Sequence, residues 1–217
     1  MGTLTMRLHP GSTNPENWRM KGRSRAYLAK GSISGSVSGY LCACMALIVL
    51  GVTSRSHIRS AYAVPEGRLQ DFFLAGLESS FGLDDKGMAE LLTTVRRFVR
   101  ALRFRGKRDW LLQGAISRLS EGEVSLLCIG DNSFRYSEWK LAIGVEWRTD
   151  TTGTKPTALL VLDPTAPIGR MVAWNGRLEL TGKPDSKYLY YTTWDGDIQT
   201  VTLKCVFALR KKKSWET

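Results

Sequence analysis

A chain of 217 residues is long enough to bury a hydrophobic core and suits a single domain. Hydrophobic residues make up 43% and aromatic residues 10% of the sequence, a globular composition that excludes a wholly disordered protein. The formal net charge is +11, from 31 Lys and Arg against 20 Asp and Glu, and clustered positive charge can attract nucleic acid, an acidic membrane surface or an acidic partner.

Residues 1–30 contain turn-forming Pro and Gly residues, several basic side chains and little hydrophobic periodicity. This composition predicts a flexible basic N-terminal arm. The folded domain is predicted to span residues 31–209, and a basic C-terminal tail follows over residues 210–217. The arm could bind an acidic partner or a membrane surface.

Residues 40–52 form an uncharged apolar run that is too short to cross a bilayer as a helix, which needs about 20 apolar residues. An export signal is the alternative, because basic residues precede the run and Ala61-Tyr62-Ala63 resembles a cleavage site. The region before the run would, however, be unusually long for a signal peptide. A buried helix in a cytoplasmic protein is therefore the favoured interpretation.

Apolar residues spaced by three and four positions predict four helices before residue 120. The predicted helices are residues 38–51 with Ser38 as N-cap, 66–79, Met88 to about Phe104 begun by Asp84 and Asp85, and 109–119 with Asp109 as N-cap. Four arginines would form the solvated outer face of the third helix: Arg96, Arg97, Arg100 and Arg103. A solvated face is favoured over a nucleic-acid site for this cluster.

Apolar runs of strand length follow from residue 123, at residues 124–129, 139–147 and 157–162. Asn175-Gly176 and Asp195-Gly196 are both signals for type I′ hairpins. The last hairpin is predicted to pair about residues 188–193 with about 198–209. Helices followed by an antiparallel sheet predict an α+β fold.

Three short motifs occur in order along these elements. Ser38-Gly39 opens the first helix, Glu138-Trp139 opens a strand, and Asp163-Pro164 ends the next strand. This order resembles the bacteriocin-processing C39 branch of the papain-like cysteine peptidases. The resemblance implies a papain-like α+β fold, with an N-terminal helical half packed on a C-terminal antiparallel β-sheet.

The resemblance also assigns the family's catalytic positions. They are Ser38 for the nucleophile, Glu138 for the histidine, Asp163 for the orienting acid and Ser32 for the oxyanion hole. Four residue types match the family: Cys42, Met45, Asp163 and Pro164. Because the nucleophile, the base and the oxyanion residue are substituted, the resemblance implies a catalytically inactive pseudopeptidase that binds a peptide or protein segment in the former active-site cleft.

Two alternatives stay open. The first is an active peptidase or other hydrolase that uses Ser38 or Cys42 as nucleophile. A serine hydroxyl needs a general base, and Glu138 could serve only if burial or repulsion from Asp163 raised its pKa. The second alternative is a membrane- or nucleic-acid-associated basic protein.

The four cysteines lie in or beside apolar stretches, which predicts buried free thiols and no disulfide framework. Cys42 and Cys44 are poorly spaced from His9 and His57 for a metal site. The sequence therefore predicts no metal and no cofactor.

Overall fold

The computed structural model describes residues 2–12, 26–30, 38–63, 65, 67–78, 82–130, 137–168, 173–180 and 186–213. Within these ranges the chain forms eight strands and five α-helices. In chain order they are β1 (Thr3–Leu8), α1 (Ser38–Val49), α2 (Arg55–Ala63), α3 (Gln70–Glu78), α4 (Asp85–Thr94), β2 (Val99–Arg105), α5 (Arg108–Ser120), β3 (Val124–Gly130), β4 (Ser137–Asp150), β5 (Gly153–Leu162), β6 (Gly176–Glu179), β7 (Tyr188–Thr193) and β8 (Ile198–Lys211).

Strands β3 to β8 close into an antiparallel barrel. Each of the six is hydrogen-bonded to two neighbours, in the ring order β3, β4, β5, β6, β7, β8 and back to β3. Strands β4 and β8 have 14 residues each and are long enough to pair with a further strand. Strand β1 pairs with the second half of β4, and β2 pairs with the second half of β8.

The two faces of the barrel wall bury separate hydrophobic cores, because successive side chains of a strand point to opposite faces. On β3, Leu127 and Ile129 belong to one core, whereas Leu126 and Cys128 belong to the other. The first core lies inside the barrel, since all six barrel strands contribute to it, and α5 adds its apolar face. The second core lies outside the barrel, beneath helices α1 to α4.

Helix α1 lies at the centre of the outer core. Ten of its 12 residues are buried, which explains why its sequence is apolar all round rather than along one stripe. In the described part of the chain, none of the helices has both the length and the apolar character needed to cross a bilayer.

The predicted papain-like architecture, a helical half packed on an antiparallel sheet, is wrong. Most strands form a closed barrel, and β1 and β2 come from the half of the chain that was predicted to be helical or irregular. Helix α5 packs into the interior core of the barrel. Closure depends on the long-range pairing of β8 with β3, which joins residues about 80 positions apart, and local hydrophobic patterns do not report such a contact.

The third predicted helix ends ten residues early. Helix α4 begins at the expected place, where the Asp84 carboxylate accepts a hydrogen bond from the Gly87 amide at 2.7 Å. It stops at Thr94, and residues 99–105 form β2 instead. The four arginines therefore do not share a helical face.

Most other predicted elements are confirmed as helices or strands. They are α1, α3, α5, β3, β4, β5 and the hairpin of β7 with β8. The N-cap of α5 is Lys107 rather than Asp109. The connection of β7 to β8 covers residues 194–197 and is closed by a hydrogen bond from the Gly196 amide to the Thr193 carbonyl, so it is longer than the predicted two-residue turn.

Two described parts of the predicted flexible arm belong to the folded domain. Strand β1 pairs with β4. Ala26 and Leu28 are fully buried, and the Leu28 amide donates to the Met45 sulfur at 3.2 Å. At the other end, β8 extends to Lys211, so the predicted basic tail begins within a strand.

Replacing Gly144 with Ala is expected to detach β1. A Cβ atom at this position would lie 2.6 Å from the Arg7 carbonyl oxygen and 2.6 Å from Leu8 Cδ2, so β1 would have to move. Overpacking of this kind should lower the free energy of unfolding by about 1–3 kcal/mol. Hydrogen–deuterium exchange should accelerate in residues 3–8, while the amides of β7 serve as an internal control. Unchanged exchange in β1 would contradict the pairing.

Candidate functional site

Helix α1 docks with its N-terminal turn on the start of β4. The Trp139 amide donates to Ser38 Oγ at 3.2 Å, and one turn later Cys42 Sγ donates to the Trp139 carbonyl at 3.1 Å. The Trp139 amide and carbonyl are available for these two hydrogen bonds because pairing between β4 and β5 begins only at Leu141. The structure therefore brings Ser38 next to the strand that carries Glu138.

Lys140 joins the two predicted carboxylates. It shares a face of β4 with Glu138, opposite to Trp139. Its Nζ atom lies 2.7 Å from Glu138 Oε2 and 2.7 Å from Asp163 Oδ2. The Thr165 hydroxyl is a further partner at 3.1 Å. The Lys140 side chain is only 2% exposed, so its charge is neutralised inside the protein.

The Asp163 carboxylate is surrounded by donors. Besides Lys140, it accepts from the Tyr191 hydroxyl at 2.7 Å and from the Thr165 amide and hydroxyl at 2.8 and 2.6 Å. Burial alone would raise the Asp163 pKa, but Lys140 and the other donors outweigh burial and hold the pKa below its usual value. Burial and the adjacent Asp163 raise the pKa of Tyr191, which keeps its hydroxyl protonated as a donor.

Asn175 fixes the backbone around Asp163. Its side-chain oxygen accepts from the Asp163 amide at 2.7 Å, and its side-chain nitrogen donates to the carbonyls of Asp163 and Ala166 at 2.7 and 2.9 Å. Asn175 is fully buried. Gly176 begins β6 and pairs with both β5 and β7, so the hairpin turn predicted at Asn175-Gly176 is wrong. Gly176 is required by packing, because a Cβ atom there would lie 2.0 Å from the Tyr191 hydroxyl oxygen.

A cavity of about 490 Å³ opens at the end of the barrel where Lys140 and Asp163 lie, and we call this end the barrel mouth. Four carboxylates and one ammonium group line it: Glu138, Asp163, Asp195, Asp197 and Lys140. The remaining lining is small or uncharged: Ile129, Gly130, Thr165, Ala166, Pro167, Thr193, Gln199, Thr200 and Val201. The volume falls within the range of ordinary ligand pockets.

The predicted nucleophile positions do not line this cavity. Among the described residues, no hydrogen bond joins Ser38 Oγ to the carboxylates of Glu138 or Asp163. Cys42 is fully buried, and burial raises its pKa well above the usual value. Ser32, the predicted oxyanion residue, lies outside the described residues.

The other cysteines are also free and buried. Burial raises the pKa of Cys44 to about 12. Cys128 and Cys205 lie directly opposite each other on β3 and β8. A hydrogen bond from Cys205 lowers the pKa of Cys128, and the same contact raises the pKa of Cys205.

Three residues of the site were missed by sequence reasoning: Lys140, Asn175 and Tyr191. Lys140 carried a usable signal, because it is the one cation in the apolar run of residues 139–147, and a buried lysine requires a carboxylate partner. Asn175 precedes Gly176, and Asn-Gly is a common turn signal, so its hydrogen bonds to the backbone around Asp163 were not predicted. Tyr191 lies in a strand of mixed polarity, and nothing in the neighbouring sequence distinguishes it from the other tyrosines of that strand.

Within the described ranges, no group of three or more His, Cys, Asp or Glu side chains is arranged to hold a metal ion. No protein-family model matches the chain, and a comparison with curated proteins likewise finds no match. The resemblance to bacteriocin-processing peptidases therefore consists of the three motifs alone.

Replacing Lys140 with Met should destabilise the protein by about 3–5 kcal/mol at neutral pH, because Asp163 would be left as a buried carboxylate without a cation. Urea unfolding measures this change. The matched control is Lys155→Met, which removes an exposed lysine of β5 and should shift stability by no more than about 0.5 kcal/mol.

The pH dependence of stability should also change sign in Lys140→Met. In the native protein the folded pKa of Asp163 is lowered, so its contribution is complete above about pH 4 and is lost as the pH falls through the folded value. Without Lys140 the buried carboxyl has a raised pKa, so stability should increase as the pH falls toward that value. Parallel pH profiles for the two proteins would contradict the ion pair.

Iodoacetamide should label Cys128 before Cys42 in the folded protein, because the thiolate is the reactive form and only Cys128 has a lowered pKa. Mass spectrometry of tryptic peptides gives the order of labelling. In concentrated urea the rates should converge, which serves as the control. Faster labelling of Cys42 in the folded state would support Cys42 as a nucleophile.

Proposed function

We propose that this protein binds a peptide segment in the barrel-mouth cavity without cleaving it. The observation that carries the proposal is the cavity of about 490 Å³ beside the network of Lys140, Asp163 and Tyr191. A site whose polar groups are already held in place loses little conformational freedom when a ligand arrives. Fixed donors and acceptors at an open mouth therefore favour recognition of a ligand.

The arrangement of the family-equivalent residues supports binding rather than catalysis. A general base must reach the nucleophile's proton, but Glu138 is paired with Lys140, and Asp163 accepts from three side chains and an amide. Ser38 Oγ accepts a backbone hydrogen bond and has no base among its described partners. These contacts support binding without cleavage and disfavour Ser38 as nucleophile.

The charges at the cavity indicate which segments would be preferred. Four carboxylates face one lysine, so the local charge is negative although the whole chain carries +11. Basic side chains or a free amino terminus would be attracted to this mouth, and acidic segments would be repelled. The proposed ligand is therefore a basic peptide segment.

For the compartment we propose the cytoplasm. The support is chemical, since all four cysteines are free and reducing compartments keep thiols in that state.

Selection from a random peptide display library, followed by fluorescence anisotropy, tests the proposal. Selected peptides should be rich in Lys and Arg and should be recovered intact by mass spectrometry after long incubation. Gln199→Trp should weaken binding by about tenfold or more, because Gln199 lies opposite Tyr191 on the inner face of the wall and the larger ring would fill the cavity.

The matched control is Tyr190→Ala in the same hairpin, since Tyr190 is exposed and does not line the cavity. It should leave the affinity unchanged. Equal loss in both variants, or no selected peptide at all, would argue against the barrel mouth as a binding site. Peptide cleavage that disappears in Ser38→Ala would instead establish the hydrolase alternative.

A further inference from the structure

A second concave surface, of about 320 Å³, lies where β2 meets the end of β8. The described residues that line it are all basic: Arg100, Arg210, Lys211, Lys212 and Lys213. We call it the basic cleft. It shares no residue with the barrel-mouth cavity, so it is independent of the proposed peptide site.

Backbone pairing holds the basic cleft together. Arg100 and Arg210 are directly opposite each other on β2 and β8, and the Lys212 amide extends the ladder by donating to the Phe98 carbonyl at 2.8 Å. Like charges placed directly opposite across an antiparallel pair are destabilising. The sequence therefore retains a repulsive pair at a position where one neutral residue would remove the repulsion.

Two other arginines of β2 have a carboxylate partner. Arg103 and Arg105 both form ion pairs with Asp85, the latter at 2.6 Å. In the described part of the chain, no ion pair joins any of four basic cleft residues to a carboxylate: Arg100, Arg210, Lys212 and Lys213. Their charges remain available to an external anion.

The chemistry of the lining defines the ligand. Two guanidinium groups can each bind a phosphate through two hydrogen bonds, and the lysines add point charges. Among the described residues, no aromatic side chain lines the cleft, so these residues offer no stacking surface to the bases of a nucleic acid. The described lining side chains also include no apolar residue, so none of them is a hydrophobic anchor for lipid chains.

We propose that the basic cleft binds the phosphate groups of a compact polyphosphate ligand. Arg100 and Arg210 hold adjacent phosphates, and Lys212 and Lys213 neutralise the remaining charge. Binding relieves the repulsion between the two arginines, so the ligand also stabilises the pairing of β2 with β8.

Isothermal titration of the full chain with inorganic tripolyphosphate tests the site. One molecule should bind per chain, with an affinity that falls as salt rises from about 50 to about 200 mM. The double variant Arg100→Gln with Arg210→Gln should lose about tenfold or more in affinity. Its melting temperature without ligand should equal or exceed that of the native protein, because the like-charge pair is gone.

The matched control is Arg59→Gln with Arg68→Gln, which removes the same charge from exposed positions of α2 and the turn before α3. It should bind tripolyphosphate like the native protein. An equal loss of affinity in the control would show non-specific attraction and overturn the proposal. So would native affinity in the Arg100→Gln, Arg210→Gln variant.

Two further arms identify the source of the phosphates. Soluble inositol trisphosphate competing fully with vesicles that contain phosphatidylinositol bisphosphate would support a phosphate group recognised from either source. Vesicle binding that the soluble headgroup cannot compete would overturn the compact ligand in favour of a membrane surface. A DNA duplex bound about tenfold more tightly than tripolyphosphate would overturn it in favour of nucleic acid.

Discussion

The barrel mouth depends on the ion pair between Lys140 and Asp163. With side-chain exposures of 2% and 1%, neither charge is tolerable without the other, since an unpaired buried charge costs several kcal/mol. Lys140 lies on β4, and Asp163 directly follows β5. The Tyr191 hydroxyl brings β7 to the same carboxylate. The Asp163 carboxylate therefore links β4, β5 and β7 through one ion pair and one hydrogen bond.

The same pair explains why the motif positions do not form a catalytic triad. In a cysteine peptidase the third residue orients the ring of a histidine. Here Asp163 holds an ammonium group, which has donors but no acceptor. Glu138 is drawn to the same ammonium at 2.7 Å and away from the helix terminus that carries Ser38. The two ion pairs of Lys140 therefore hold both carboxylates in fixed positions.

The order of local elements was largely predictable, and their assembly was not. Apolar runs marked β3, β4 and β5, and the sequence around Asp195-Gly196 marked the last hairpin, because strand period and turn composition are local properties. Residues 99–105 fit both a helical and an alternating pattern, and pairing with β8, about a hundred residues later, decides in favour of a strand. For the site, the order of the three motifs identified Ser38 and Asp163 as candidate residues. Lys140 was overlooked because its buried partner, Asp163, follows a different strand.

Closure of the ring has a consequence for how these molecules meet one another. Six strands have partners on both sides, so in the described structure β1 and β2 are the strands with an unpaired edge. Unpaired edges recruit strands from other copies unless charge opposes the approach. Strand β2 carries Arg100, Arg103 and Arg105, and the last two share a single carboxylate, Asp85. The strand therefore keeps an excess of positive charge, and two copies meeting there would repel. The sheet thus stays finite through closure around the barrel and through charge along β2.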